Sequence, residues 1–138
     1  MELKDKTVIV TGSGSGIGRA LAVAFAGAGS TVVVCGRRKK RLDMTVQMIE
    51  AEGAEGLAVE ADVTRADDVK RLVETVMKQC GPIDVLFNNA GSFRSIAGVF
   101  EVDPELWWQD VTVNLLGPLL TMRMVLPHMM KRDQGIII

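Results

Sequence analysis

The chain of 138 residues contains no tyrosine, a single histidine and two cysteines. Without tyrosine, no phenol can act as a general acid or base. Cys35 and Cys80 lack the spacing of a metal site, so we expect no bound metal and a reducing compartment. His128 lies near the predicted end of a helix, where the helix dipole favours a cation, and we expect no catalytic role for it.

Charge of one sign and long apolar runs are also scarce. Lys and Arg number 16 and Asp and Glu 17, which gives a formal net charge of -1. This balance excludes the basic surplus that drives nucleic-acid binding. No apolar run approaches the roughly 20 residues that cross a bilayer, and Glu2, Lys4, Asp5 and Lys6 interrupt the segment where a signal peptide would be apolar. We therefore predict a cytoplasmic protein with no membrane segment.

Apolar residues, in contrast, are abundant. They make up 48% of the chain, which is enough for one buried core in a single domain over residues 1–138. Apolar runs typical of buried strands alternate with segments typical of helices, and this alternation predicts an α/β domain with a parallel sheet. The predicted strands cover 6–10, 30–35, 56–61, 83–87 and 136–138, and the predicted helices cover 19–26, 39–52, 64–79 and a long segment from 103 to 130.

A glycine-rich turn, Thr11 to Gly18, follows the first strand and precedes the first helix. Gly12 permits a tight turn, Gly16 lets the backbone approach a ligand closely, and Gly18 lets the helix pack on the sheet. The free N–H groups at the start of the helix favour a phosphate. The sequence therefore predicts a phosphate-binding turn, the alternative being a glycine-rich turn that only reverses the chain.

Two arginines follow the second strand. In dinucleotide-binding folds the residue at the tip of this strand selects the cofactor, because an acidic residue binds the ribose hydroxyls and an arginine accommodates a 2′-phosphate. Gly36 occupies the acidic position here, and Arg37 and Arg38 come next. A guanidinium can bind a phosphate with two hydrogen bonds, which favours NADP over NAD. The alternative is a solvated basic helix start, since Lys39, Lys40 and Arg41 continue the run.

The third and fourth strands also deliver candidate residues to the carboxyl edge of the sheet, where ligands of open α/β folds bind. Asp62 and Val63 follow the third strand, and Asp62 is alternatively a helix cap, although Thr64 with Asp67 makes the better capping pair. The tetrapeptide Asn88–Gly91 follows the fourth strand. Its small residues suit a position beneath a cofactor, and its amides can join neighbouring strands by hydrogen bonds.

The segment from Ser92 to Val102 has little periodicity. It predicts a loop that covers part of the site through the apolar side chains of Phe93, Ile96 and Phe100. Asp103 and Pro104 are typical of an N-cap and a first helical residue, so the long helix is expected to start there. Pro127 is expected to kink that helix or end a turn of it.

Three motifs together resemble the short-chain dehydrogenase/reductase family: T-G-x-x-x-G-I-G at 11–18, N-N-A-G at 88–91 and V-N-x-x-G at 113–117. The resemblance implies a Rossmann-like, doubly wound parallel sheet and hydride transfer between a nicotinamide and an alcohol or carbonyl carbon. Asp62 would contact the adenine amino group with Val63 against the ring. Asn114 would belong to the catalytic set, holding a water connected to a catalytic lysine; its alternative is a buried amide satisfied by backbone groups. The implied cofactor-binding residues are Gly12, Ser13, Ser15, Gly16, Ile17, Gly18, Arg37, Arg38, Asp62, Val63, Asn89, Ala90 and Gly91.

The family's catalytic serine and its Y-x-x-x-K motif come after the fifth strand. The resemblance therefore implies the amino-terminal half of such an enzyme, with a sheet truncated after the fifth strand, that binds NADP(H) and is inactive alone. The alternative is a non-catalytic dinucleotide-binding or interaction protein that associates with a full-length relative. The free edge of the fifth strand and the methionine-rich long helix predict a homo- or hetero-oligomer.

Overall fold

The computed structural model describes residues 2–138. Strands and helices alternate up to the fourth strand, after which a loop leads to two helices joined by one π-helical turn at Thr112–Leu116. The elements are β1 (Thr7–Thr11), α1 (Gly16–Gly27), β2 (Thr31–Gly36), α2 (Lys39–Ala51), β3 (Gly56–Glu60), α3 (Ala66–Gln79), β4 (Val85–Phe87), α4 (Pro104–Val111), α5 (Gly117–Lys131) and β5 (Ile136–Ile137).

The five strands form one parallel sheet in the order β3-β2-β1-β4-β5. The chain builds outward from β1 to β3, then returns to the other side of β1 to add β4 and β5. Val8 of β1 therefore pairs with Val32 on one side and Val85 on the other. This order confirms the predicted doubly wound sheet, and it creates a crevice between the carboxyl ends of β1 and β4.

Both faces of the sheet are buried, which explains the continuous apolar runs of the strands. Ile9 and Val33 face α3 and α5 in one core layer. Val8 and Val10 face α1 and α2 in the other. Because successive strand residues point to opposite faces, each apolar residue of β1 has a helix to pack against.

Asp84 organises the amino edge of the sheet, opposite the crevice. Its Oδ2 accepts a hydrogen bond from the Thr7 N–H at 3.1 Å, and its Oδ1 pairs with the guanidinium of Arg132. Arg132 also donates to the carbonyl of Ile83 at 3.1 Å. These bonds join β1, the start of β4 and the end of α5 around one buried carboxylate.

All predicted strands are present, and their ends lie within two residues of the prediction. The predicted cap of the third helix was wrong. Thr64 donates both its N–H and its hydroxyl to Asp62 Oδ1, at 2.9 and 2.7 Å, so α3 starts later, at Ala66. Thr64, which was expected to cap the helix, is thus hydrogen-bonded to the Asp62 carboxylate instead.

The loop after β4 also differs from the prediction. Phe93, Ile96 and Phe100 are all exposed rather than packed, so their assignment as apolar contacts was wrong. The predicted cap at Asp103 is confirmed, because its Oδ1 accepts the N–H of Glu105 at 2.9 Å. Helix α5 continues through the exposed Pro127 to Lys131, so the proline does not end it. Across residues 2–138, no helix is both long and apolar enough to span a bilayer.

Candidate functional site

A cavity of about 300 Å³ opens in the crevice at the carboxyl edge of the sheet. Ser13, Gly16, Ile17, Gly18 and Asn114 do not line it. Its walls come from the segments that follow β1, β2, β3 and β4, and they bring together most of the predicted site residues: Gly12, Ser15, Arg37, Arg38, Asp62, Val63, Asn89, Ala90 and Gly91.

Three glycines shape the turn between β1 and α1, each for a different reason. Gly12 has φ +68°, and a Cβ there would lie 2.8 Å from Ala90 Cα. Gly16 has φ +54° but opens onto free space. A Cβ on Gly18 would overlap Asn89 Nδ2 and lie 2.6 Å from the Gly12 carbonyl oxygen. The turn can therefore approach the end of β4 only because positions 12 and 18 lack side chains.

Ser13 holds the turn from inside the protein. It is completely buried. Its hydroxyl donates to the Val10 carbonyl at 2.6 Å and accepts the Cys35 N–H at 3.0 Å, and its own N–H donates to the Cys35 carbonyl. Ser13 was predicted to bind a cofactor from its place in the motif, but its polar groups are committed to holding the turn against β2.

The start of α1 faces the turn with unmatched backbone donors. In the part of the chain that the structure describes, no side chain caps this helix and no acidic residue occupies its first turn. The first N–H groups of a helix lack partners within the helix, and the helix dipole adds partial positive charge at this end. The geometry therefore suits an anion such as a phosphate.

Arg19 and Thr45 support this turn and were not identified from the sequence. Arg19 donates to the Gly14 carbonyl and, through Nε, to Thr45 Oγ1 at 3.1 Å. Thr45 Oγ1 in turn donates to the Ser13 carbonyl at 3.0 Å. An arginine and a threonine on different helices carry no sequence signal of this pairing, because only the packing of α1 on α2 brings them together.

Asn89 and Thr11 join the end of β4 to the end of β1. Asn89 Nδ2 donates to the Thr11 carbonyl at 2.9 Å. The hydroxyl of Thr11 accepts the N–H groups of Asn89 and Ala90, at 3.1 and 3.0 Å. The predicted role of the asparagine amides in linking neighbouring strands is therefore visible in the contacts of Asn89.

The wall that follows β2 is strongly basic. Arg37 and Arg38 are exposed and line the cavity. Helix α2 then starts with Lys39, Lys40 and Arg41, and its first turn contains no acidic residue. Cations at a helix N-terminus oppose the helix dipole, so this arrangement is unfavourable for the helix by itself and suits a bound anion. Lys39 also pairs with Asp43 on the exposed face of α2.

The segment that follows β3 is fixed by a second set of bonds. Asp62 Oδ1 accepts the Thr64 N–H, while the Asp62 N–H donates to Asp68 Oδ2 at 2.9 Å. That backbone bond is the main cause that lowers the pKa of Asp68, and Arg71 donates to its other oxygen at 3.0 Å. Val63 is buried, close to Gly117 at the start of α5. The position of Asp62 at the cavity is thus well defined.

Asn114 forms hydrogen bonds with the cavity wall that follows β4. It lies in the π-helical turn, and such turns are frequent at functional sites. Its Oδ1 accepts the Ser92 N–H at 2.9 Å, and its Nδ2 donates to the Ser92 carbonyl at 2.7 Å. The amide is thus satisfied by backbone groups, as the alternative interpretation expects, although the residue is exposed rather than buried.

Asp110 was missed at the sequence level. It is only 4% exposed, and its carboxylate accepts hydrogen bonds from the Ser92 hydroxyl at 2.5 Å, the Arg94 N–H at 2.7 Å, and the N–H and hydroxyl of Ser95, both at 2.8 Å. The Ser92 hydroxyl is the main cause that holds the pKa of Asp110 well below its usual range. We call these bonds the Asp110 clamp. The available signal in the sequence was the position of this acid four residues after Leu106, which puts both residues on one face of the helix.

The buried cysteine of β2 is not suited to nucleophilic chemistry. Cys35 is buried at the end of β2, and burial raises the pKa of its thiol to about 12. A thiol held in this way is not an effective nucleophile. Within residues 2–138, no three His, Cys, Asp or Glu side chains come together as a metal-binding group.

Residues 6–138 match the sequence model of the short chain dehydrogenase family. The chain belongs to this family. It is 42% identical over 138 residues to a short chain dehydrogenase of Pseudocercospora fijiensis, an alignment that covers 99% of this chain and 45% of that protein. The resemblance predicted from the three motifs is confirmed.

Solved structures agree with this assignment. NAD+-bound xylitol dehydrogenase superposes with a TM-score of 0.95 at 28% identity, over 99% of this chain and 53% of that one. A metagenomic short-chain oxidoreductase in complex with NADP superposes with a TM-score of 0.92 at 30% identity, over 99% of this chain and 62% of that one. The Rossmann-like fold is thereby confirmed. The chain spans about half the length of the relatives it matches.

Proposed function

We propose that this chain is the cofactor-binding domain, over residues 1–138, of an NADP-dependent oxidoreductase of the short-chain dehydrogenase/reductase type. The bound dinucleotide would supply the hydride chemistry between its nicotinamide and an alcohol or carbonyl carbon. The observation that carries the cofactor choice is the pair Arg37 and Arg38 at the cavity, next to Gly36, where NAD-binding folds have an acidic residue.

The turn after β1 fits a pyrophosphate. Gly12 lines the cavity, Gly16 opens onto free space, and the first amides of α1 carry no side-chain cap. A pyrophosphate would take the place of the missing cap and would lie at the positive end of the helix dipole. Ser15, the N-cap residue, lines the cavity at this point, and Ile17 and Gly18 continue the first turn of the helix.

The adenosine half would then lie over the ends of β2 and β3. Asp62 Oδ2 accepts no hydrogen bond from the residues that the structure describes, which leaves one carboxylate oxygen for an adenine amino group, with Val63 against the ring. Arg37 and Arg38 would bind the 2′-phosphate. The cations of the first turn of α2 would add to its attraction, and the phosphate would relieve their conflict with the helix dipole.

The nicotinamide half would extend across β1 towards β4. Asn89, Ala90 and Gly91 line that part of the cavity. Asn114 remains our candidate for holding a catalytic water. Because Ser92 occupies its side-chain amide, the water would bind to main-chain groups of Asn114.

Binding and turnover are separate expectations for this chain. The 138 residues contain no tyrosine, so they do not provide the phenol that serves as general acid or base in the family. We therefore propose that residues 1–138 bind NADP(H) and do not by themselves turn over a substrate. The two free cysteines support a reducing, cytoplasmic setting.

A second candidate function is association with another chain. Exposed apolar side chains lie along α4, the π-helical turn and α5. Exposed apolar surface of this kind favours a homo- or hetero-oligomer. The residues are Trp107, Trp108, Leu115, Leu119, Leu126 and Met130.

The test is calorimetric titration of NADPH and NADH into the wild-type chain and the Arg37→Asp variant. A hydrogen bond between charged groups contributes about 1.5–3 kcal/mol, so the variant should bind NADPH about 10- to 100-fold more weakly. NADH binding should change little, because NADH has no 2′-phosphate. Arg123→Asp is the matched control, since Arg123 is exposed on α5 and does not line the cavity. Unchanged NADPH affinity in Arg37→Asp would rule out the assigned phosphate contact.

A further inference from the structure

Asp110 lies behind the cavity wall without lining it. The clamp reaches three residues of the wall, Ser92, Arg94 and Ser95, through four donated hydrogen bonds. Two of those three residues, Ser92 and Arg94, line the cavity itself. A nearly buried carboxylate thus holds a segment whose apolar side chains, Phe93 and Ile96, are exposed.

We infer that Asp110 is a positioning residue that fixes the Gly91–Ser95 wall of the cavity for the nicotinamide half of the dinucleotide. This inference rests on the proposed binding of NADP(H). Asp110 does not itself line the cofactor site. It acts only through the residues that it holds by hydrogen bonds.

The order of the strands assigns the clamp to that half. Arg37 and Asp62 follow β2 and β3, whereas Ser92 and Arg94 follow β4, on the other side of β1. A dinucleotide with its adenosine at β2 and β3 and its pyrophosphate at α1 therefore reaches the Ser92 wall with its nicotinamide half.

The chemistry of the clamp requires a carboxylate. All its partners donate, and the carboxylate is the one side-chain group that accepts at both oxygens without a proton. Ser92 Oγ also accepts the Arg94 Nε–H at 3.1 Å, and Arg94 donates to Gln109 Oε1 at 3.1 Å. An amide at position 110 would direct an N–H towards one of these donors. It would keep the size of the side chain but loosen the wall.

Asp84 provides a matched control at the opposite edge of the sheet. It too is nearly buried, accepts a backbone N–H and pairs with an arginine, Arg132. Its bonds join secondary-structure elements far from the cavity, so an Asp84→Asn variant reports the general effect of weakening a buried carboxylate network.

The experiment compares two ligands in each variant. NADPH occupies the whole site, whereas adenosine 2′,5′-bisphosphate occupies only the adenosine half. For Asp110→Asn and Asp110→Ala we expect about tenfold weaker NADPH binding, because the wall must be ordered on binding, and unchanged binding of the bisphosphate. Asp84→Asn should leave the ratio of the two affinities at its wild-type value.

Hydrogen exchange of the ligand-free protein gives a second readout. The Arg94 and Ser95 amides, which donate to Asp110, should lose protection in Asp110→Asn while amides of β1 keep theirs. An unchanged affinity ratio in both Asp110 variants, or unchanged protection, would overturn the inference while the proposed function stands. If the wild-type chain bound neither NADPH nor the bisphosphate, the proposed function itself would fail, and the inference with it.

Discussion

The two ends of the cavity are held in shape by different means. At the adenosine end, the glycine turn is closely packed: Gly12 and Gly18 leave no space for a Cβ, and Ser13 is buried within the turn against β2. At the nicotinamide end, the wall after β4 depends on polar side chains, Asp110 and Asn114, beneath a loop whose apolar residues are exposed. Close packing tolerates no added atoms, whereas a hydrogen-bonded loop responds to the loss of one acceptor. Mutations should therefore affect the two ends differently: the adenosine end is sensitive to added atoms, and the nicotinamide end to the loss of a hydrogen-bond acceptor.

The largest effect on stability is expected at the closely packed glycine turn. Gly18→Ala forces a methyl group against Asn89 and the Gly12 carbonyl, so we expect about 3 kcal/mol lower free energy of unfolding. Gly27→Ala is the control in the same helix, because a Cβ there meets only Glu52 Oε2 at 3.6 Å. It should raise stability by up to about 1 kcal/mol. Urea unfolding of both variants measures the difference, and effects of the same sign would refute the packing argument.

An intermediate effect is expected at Thr11, which joins the two ends. Thr11→Val keeps the shape of the side chain but removes the acceptor of the Asn89 and Ala90 amides, and we expect a loss of about 1–3 kcal/mol in stability. Thr7→Val, at the other end of the same strand, removes one hydrogen bond to the Cys80 carbonyl and should cost about 1 kcal/mol. Thermal unfolding compares the two. A larger effect at Thr7 would contradict this account of the junction.

The smallest effect is expected from pH at the nicotinamide end. The Ser92 hydroxyl and its neighbours hold the pKa of Asp110 below that of an unfolded aspartate, which is about 3.9. A lowered pKa gives stability that is fully present above the unfolded value and is lost as pH falls through the folded value. The stability difference between wild type and Asp110→Asn should therefore stay constant from pH 8 to about pH 5 and shrink below about pH 4. Unfolding measured across this range tests it, and a difference that shrinks above pH 5 would contradict the assignment.

The contrast between the two ends also explains what the sequence could predict. The adenosine end follows from local rules. A β-branched run, a glycine turn and a helix are adjacent in the chain, and the structure shows why Gly12 and Gly18 must be glycines. Arg37 and Arg38 likewise follow from their place after β2, and they line the cavity.

The nicotinamide end depends on contacts between residues distant in sequence. Asp110 meets Ser92 across 18 positions and Asn114 meets it across 22, and no local propensity encodes such pairs. The Thr64 cap failed for a related reason, because the Asp62 carboxylate competes for the same hydroxyl. Ser13 was assigned to a ligand from its motif position alone, without the information that β2 and α2 would enclose it.

The most direct test of the central claim is calorimetric titration of the wild-type chain with NADPH and with NADH. If the first turn of α1 binds the pyrophosphate and Arg37 the 2′-phosphate, both ligands should bind, and NADPH should bind about 10- to 100-fold more tightly than NADH. A folded chain that takes up neither ligand would contradict the claim.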